Sequence, residues 1–208
     1  MDVVFLITTF NRQESCQRLV DSLQGKGDII VLIDGSDYDI SGAMVIRHAH
    51  NYGRERYWET VNQLFNRRGH YKYFFMLPDD FLPADNMVEK AINIWNNIRD
   101  NKKICLNLYA DRIGLRCWTG YAPKDIGEVY LTQWMDMCIM CENEFFNALG
   151  RVRLIKFNKF CSPRRSSGVG AQISRTLFHK KYNLYQVKES LVIPQNDHFI
   201  KSQMKPNQ

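Results

Sequence analysis

Tyr73-Phe74-Phe75-Met76-Leu77-Pro78-Asp79-Asp80 is a β-prone apolar run that stops at a proline and two adjacent carboxylates. A run this short and apolar reads as a buried strand, and its abrupt end delivers two acids to the edge of a sheet. There they can hold a cation that meets a phosphorylated ligand. The plainer alternative is a turn with two solvated acids.

Working outward, Val3-Val4-Phe5-Leu6-Ile7-Thr8 is a second apolar run, followed by Cys16, Leu19, Val20 and Leu23 at helical spacing. Gly25 and Gly27 stop that helix, and Ile29-Ile30-Val31-Leu32-Ile33 forms another buried-type strand ending at Asp34-Gly35-Ser36. Met44-Val45-Ile46 is strand-like, and Tyr57, Val61 and Leu64 mark an amphipathic helix leading into the 73–77 strand. Beyond the acids, Val88, Ala91, Ile92 and Trp95 repeat the helical spacing before a strand at Ile104-Cys105-Leu106-Asn107-Leu108. Regular β/α alternation predicts an α/β fold, a mostly parallel sheet with helices on both faces. Such sheets bind ligands where strands end at their carboxyl side. Thr8-Thr9-Phe10-Asn11-Arg12, Asp34-Gly35-Ser36 and Asp79-Asp80 should therefore meet at one edge. A Gly-x-Gly-x-x-Gly turn and a P-loop are both missing, which removes most support for dinucleotide or triphosphatase versions of this architecture.

The 208 residues suit one domain with one good core. Its apolar runs are too short for a membrane span, and Met1-Asp2-Val3-Val4 enters strand-like sequence with no basic leader, so a cytoplasmic protein is expected. Cysteines 16, 105, 117, 138, 141 and 161 sit mostly among apolar residues and read as reduced core thiols. Cys138-Ile139-Met140-Cys141 has zinc-like spacing but no second pair or His cluster to complete it. A formal charge of +6 attracts anions, whether nucleotides, nucleic acid or lipid surfaces, and chooses none of them.

These stretches resemble the nucleotide-sugar-dependent glycosyltransferases of the GT-A fold, family 2 type in particular. The likeness rests on Thr8-Thr9-Phe10-Asn11-Arg12, Asp34-Gly35-Ser36, Asn51-Tyr52-Gly53-Arg54 and Leu77-Pro78-Asp79-Asp80-Phe81-Leu82-Pro83, in matching order and spacing. Ser166-Ser167-Gly168-Val169-Gly170-Ala171-Gln172-Ile173-Ser174, Ser190-Leu191-Val192 and Asp197-His198 resemble the ending of small bacterial and phage proteins similar to majastridin. Here Pro194-Gln195-Asn196 precedes that last pair. The resemblance implies a single domain over 1–208, with a nucleotide-binding half at 1–110 and an acceptor-side half at 111–208 that carries a C-terminal metal and lid segment. It implies a donor site at Thr8, Phe10, Arg12, Asp34, Arg54 and Asp79, and Mn2+ or Mg2+ at Asp80 and His198. Pro78 stands where many relatives carry an acid, so a ribose contact is lost or falls to Asp79.

The implied reaction moves a hexosyl or pentosyl group from a nucleotide diphosphate sugar to an acceptor hydroxyl. Negative charge grows on the departing diphosphate, and a carboxylate-held cation answers it. Planar Arg12 and Arg54 suit phosphate oxygens, although either can be a surface arginine. An inverting transfer needs a general base; Asp136 in Gln133-Trp134-Met135-Asp136 is the candidate, with Trp134 able to stack on a sugar, and Glu142 and Glu144 close by in sequence. Asp136 can instead be a helix cap or a surface acid. The Ser166–Gly170 stretch reads either as a lid beside Arg164-Arg165 or as a plain connection. A nucleotidyltransferase would need a basic, glycine-bearing loop after the first strand, which is missing. A nucleic-acid-binding module suits the charge but not the strand-end acids. The acceptor is left as a glycan or a modified base in phage DNA.

Overall fold

A computed structural model of the chain describes residues 2–110, 123–153 and 168–195, without the side chains of Arg54 and Glu55. The alternation opens with β1 (Val3–Thr9), α1 (Gln13–Leu23), β2 (Asp28–Asp34), β3 (Met44–His48), α2 (Gly53–Asn66) and β4 (Tyr73–Pro78). It continues with β5 (Phe81–Pro83), α3 (Met87–Asn97), β6 (Lys103–Asn107), β7 (Lys124–Ile126), β8 (Val129–Leu131) and β9 (Ile139–Cys141). The last described elements are α4 (Asn143–Leu149), α5 (Val169–His179), β10 (Asn183–Val187) and β11 (Val192–Pro194).

The main sheet has nine strands in the order β3-β2-β1-β4-β9-β6-β10-β8-β7. β1 lies inside the sheet, between two neighbours, and its residues are apolar toward both faces. It pairs in parallel with β2 and β4, Thr8 lying opposite Leu32 and Pro78. β9 runs antiparallel to both β4 and β6, and β8 antiparallel to β7 and β10, so these two run against the rest of the sheet. Side chains alternate faces along a strand. Phe5, Ile7, Val31 and Phe75 therefore pack with Leu19 of α1 and Trp95 of α3 on one face. Val4, Leu6, Phe74 and Met76 meet Val61 of α2, Phe145 of α4 and Ile173 of α5 on the other. The expected helices on both faces are present.

The Cys138 to Cys141 stretch owes its spacing to a strand. β9 is buried throughout, with Cys141 in register opposite Cys105. The thiols of Cys16, Cys105, Cys138 and Cys141 are free, and burial raises that of Cys138 well above the ordinary range. Cys117 and Cys161 lie outside the described residues. A separate two-stranded sheet pairs β11 with β5, Pro194 opposite Phe81, and so returns the chain to the residues after Asp79-Asp80.

Candidate functional site

The parallel strands β1, β2 and β4 end at one edge of the sheet, and the polar residues that end or follow them converge there. Asp79 is 5% exposed and Asp80 7%. Asp79 Oδ2 accepts a hydrogen bond from Thr9 Oγ1 at 2.8 Å, and Asp79 Oδ1 accepts one from Arg12 at 2.8 Å. The same Arg12 nitrogen stands 3.1 Å from Asp80 Oδ2. Burial pushes the Asp79 carboxyl up to about 6; the Arg12 charge opposes the rise and the Asp80 charge adds to it.

Asp34, at the end of β2, is buried and doubly anchored through one oxygen. Its Oδ1 lies 3.0 Å from His48 Nδ1 and accepts the Tyr52 N–H at 3.3 Å, while Oδ2 takes no hydrogen bond from a described residue. His48 is braced in turn by Gln63 of α2, its Nε2 lying 2.6 Å from Gln63 Oε1. The turn that follows requires glycine twice over. Gly35 has φ +74°, and a Cβ there would lie 2.1 Å from the Asn51 nitrogen. Ser36 closes against the first loop by donating to Asn11 Oδ1 at 2.8 Å and accepting the Asn11 N–H at 3.0 Å. Asn11 itself is left-handed, φ 52°, a conformation its residue type tolerates. Phe10, beside it, is 43% exposed.

Thr8 shares a hydrogen bond with the Tyr57 hydroxyl at 2.8 Å. Burial raises that hydroxyl to about 12, and the charges of Asp79, Asp136 and Asp80 add to the rise, so Tyr57 sits within electrostatic reach of all three acids. Asp136 arrives there because β9 is reversed: the residues just before an antiparallel strand lie at the edge where its parallel neighbours end. Asp136 is exposed and not a helix cap; it accepts the Met137 N–H, while its own N–H donates to Asn107 Oδ1 at 3.1 Å. With Trp134, Tyr109 and Pro78 it lines a small cleft. Glu142 and Glu144 follow β9 and lie toward the opposite edge, where Cys141 pairs with Phe74.

The described part of the Ser166–Gly170 stretch begins a helix. Gly168 has φ 72°, α5 starts at Val169, and a Cβ at Gly170 would lie 2.8 Å from the Met135 carbonyl. Ser174 Oγ accepts the Met135 N–H at 2.9 Å and donates to Gly170 O at 2.8 Å, which ties α5 to the segment carrying Asp136. Arg164, Arg165, Ser166, Ser167 and His198 lie outside the described residues, as does the Arg54 side chain.

Two features test whether the acids suit a cation. The pair already holds positive charge between its carboxylates, the Arg12 guanidinium, and its donors are hard oxygens of the kind Mg2+ and Mn2+ take. Asp79 has both oxygens engaged by Thr9 and Arg12, which makes it a support for Asp80. Among the described residues no group of three or more His, Cys, Asp or Glu assembles, so the acids are a partial set. A larger hollow of about 440 Å³ between α2 and α4, bordered by Asn66, Arg68, Phe146 and Arg151, contains none of the strand-end carboxylates.

Sequence reasoning missed Tyr57, His48 and Gln195. Tyr57 counts only as an apolar mark on a helix, and His48 ends a short strand. The signals were the polar ends of these side chains on otherwise apolar elements. Gln195 follows β11, and its N–H donates to the Asp80 carbonyl at 2.7 Å.

No protein-family model matches this sequence, and no curated protein does. Solved structures do resemble its fold. GalNAc-T7, solved with UDP, GalNAc and Mn2+, aligns over 93% of this chain and 44% of its own, with TM-score 0.62 and 16% identity. The mannosyltransferase PcManGT from Pyrobaculum calidifontis, in complex with GDP-Man and Mn2+, aligns over 91% and 55%, with TM-score 0.57 and 12% identity. Glucosyl-3-phosphoglycerate synthase from Mycobacterium tuberculosis, in complex with Mg2+ and UDP, aligns over 95% and 73%, with TM-score 0.57 and 15% identity. This chain thus spans about half the length of the first two, and the fold it shares with all three is GT-A.

Proposed function

We propose that this chain is a metal-dependent glycosyltransferase that moves a sugar from a nucleotide diphosphate sugar to an acceptor hydroxyl. The observation that carries the reading is the buried Asp79-Asp80 pair at the same sheet edge as the anchored Asp34. Support comes also from the three proteins of this fold named above, each solved with a divalent cation and a nucleotide. The likeness of the C-terminal stretch to majastridin-type proteins belongs to the same proposal.

Asp80, with His198 from the C-terminal segment, would hold Mn2+ or Mg2+. A cation bound there stabilises the negative charge that builds on the diphosphate as the sugar departs. Asp34 offers its Oδ2 to the nucleoside while His48 and the Tyr52 N–H fix Oδ1. Thr8 and Phe10 flank the donor, Arg12 and Arg54 meet diphosphate oxygens, and Asp79 keeps Arg12 and the acid turn in place. The bond between the anomeric carbon and the diphosphate oxygen breaks, and a bond from that carbon to the acceptor oxygen forms. In an inverting transfer Asp136 accepts the acceptor hydroxyl's proton, with Trp134 beside it as a stacking surface. The sugar is a hexosyl or pentosyl group. The acceptor is a glycan or, given the formal charge of +6, a modified base in phage DNA. The four free buried thiols suit a reducing compartment, and we place the activity in the cytoplasm.

Thermal unfolding against nucleoside diphosphates and their sugars, with manganese, magnesium or chelator, tests this reading. Ligand at about a hundred times its Kd adds roughly 2.7 kcal/mol and should raise the midpoint by roughly 5–10 °C, with one nucleobase and only with metal. Asp80→Asn should remove both this shift and transfer while leaving the cooperative melt. An active, metal-responsive Asp80→Asn protein would overturn the assignment.

A further inference from the structure

The carbonyls of the turn after β4 are bonded by a residue distant in the chain. Asp79 and Asp80 leave the ladder with carbonyls in a buried setting, where an unpaired C=O is costly. Gln195, 5% exposed, takes up this demand from a position more than a hundred residues later in the chain. Its Nε2 donates to the carbonyls of Asp79 at 3.0 Å, Ser15 at 3.1 Å and Phe81 at 3.3 Å. Its backbone N–H donates to Asp80 O at 2.7 Å. On the other side its Oε1 accepts from Arg18 Nε at 2.9 Å. Three carbonyls on one side and a guanidinium on the other leave the amide a single orientation, because a flip would set oxygen against oxygen and N–H against N–H. One side chain thus joins α1, the acid turn and the end of β11.

We infer that Gln195 is the positioning residue for the Asp79 and Asp80 carboxylates, so the segment entering from β11 sets the geometry with which the acid turn holds a cation. The inference rests on the cation reading proposed above. Backbone position fixes side-chain direction, and a carboxylate displaced by a fraction of an ångström loses ligand geometry well before the fold is lost. Strand pairing contributes too: β11 pairs with β5 directly beyond the acids and holds the far end of the turn, while β4 holds the near end in the main sheet.

Manganese binding, followed by the loss of the free-ion electron paramagnetic resonance signal without nucleotide, reads this directly and requires no turnover. Gln195→Met keeps the volume and removes every side-chain hydrogen bond; its Kd for manganese should rise roughly 10-fold while the chelated protein still melts cooperatively. If that variant does not fold, Arg18→Leu releases the amide from its partly exposed side and should raise Kd about 3-fold, with Arg18→Lys restoring most of the loss. A lowered melting midpoint with an unchanged Kd would show a merely structural glutamine and overturn the inference. Absence of manganese binding by the parent protein would instead overturn the cation reading, and with it the role assigned here.

Discussion

Asp79 stays difficult to ionise even with the Arg12 guanidinium 2.8 Å away, because burial outweighs that attraction and Asp80 adds a like charge. The sign of the consequence follows from linkage. The folded carboxyl holds its proton up to about pH 6, against about 3.9 for the unfolded chain. Its contribution to stability is therefore complete below about pH 4 and lost as pH rises toward 6. In metal-free buffer, urea unfolding should show this group costing on the order of 1–3 kcal/mol across that window, and the difference between the parent and Asp79→Asn should isolate it. At this scale Asp34, Asp79 and Asp80 were legible because each ends or follows an apolar run. Tyr57 and Gln195 were not, since their partners Thr8 and Asp79 stand 49 and 116 residues away and only the fold brings them close.

Among the glycine turns of the described residues, the one after β2 has the shortest approach to a Cβ. Gly35→Ala meets both a left-handed φ and the Asn51 backbone at 2.1 Å, so it should cost at least about 2 kcal/mol and weaken nucleotide binding by shifting Asp34. Gly25→Ala is the matching control: φ is +76° but nothing lies within 4 Å, and about 1 kcal/mol of strain is expected with nucleotide affinity intact. Denaturant midpoints and nucleotide titrations on the two variants separate clash from strain. β1, β2, β4 and β6 were readable as apolar runs, and α1, α2 and α3 through helical spacing. The three-residue strands β5, β7, β8, β9 and β11 were not, because three residues carry no period to recognise. The Cys138 to Cys141 spacing belongs to β9 and the residue before it, a buried strand with Cys141 in register opposite Cys105. The same strand, by running backwards, is what delivers Asp136 to the site.

Across the whole molecule, β9 occupies the middle of the sheet, hydrogen-bonded to β4 on one side and β6 on the other. Sequence and space disagree here, because both neighbours precede it in the chain. Residues 1–110 expressed alone should therefore be aggregation-prone and lack a cooperative melt, since Tyr73–Pro78 and Lys103–Asn107 would each lack the strand that pairs between them. A soluble, cooperatively melting 1–110 fragment would contradict this. During synthesis the strand that ends in the acids leaves the ribosome with a bare apolar edge, and the residues that cover it emerge about 60 positions later. Gln195 comes later still, so the turn proposed to hold the cation is also the part whose nascent form most needs shelter from other chains.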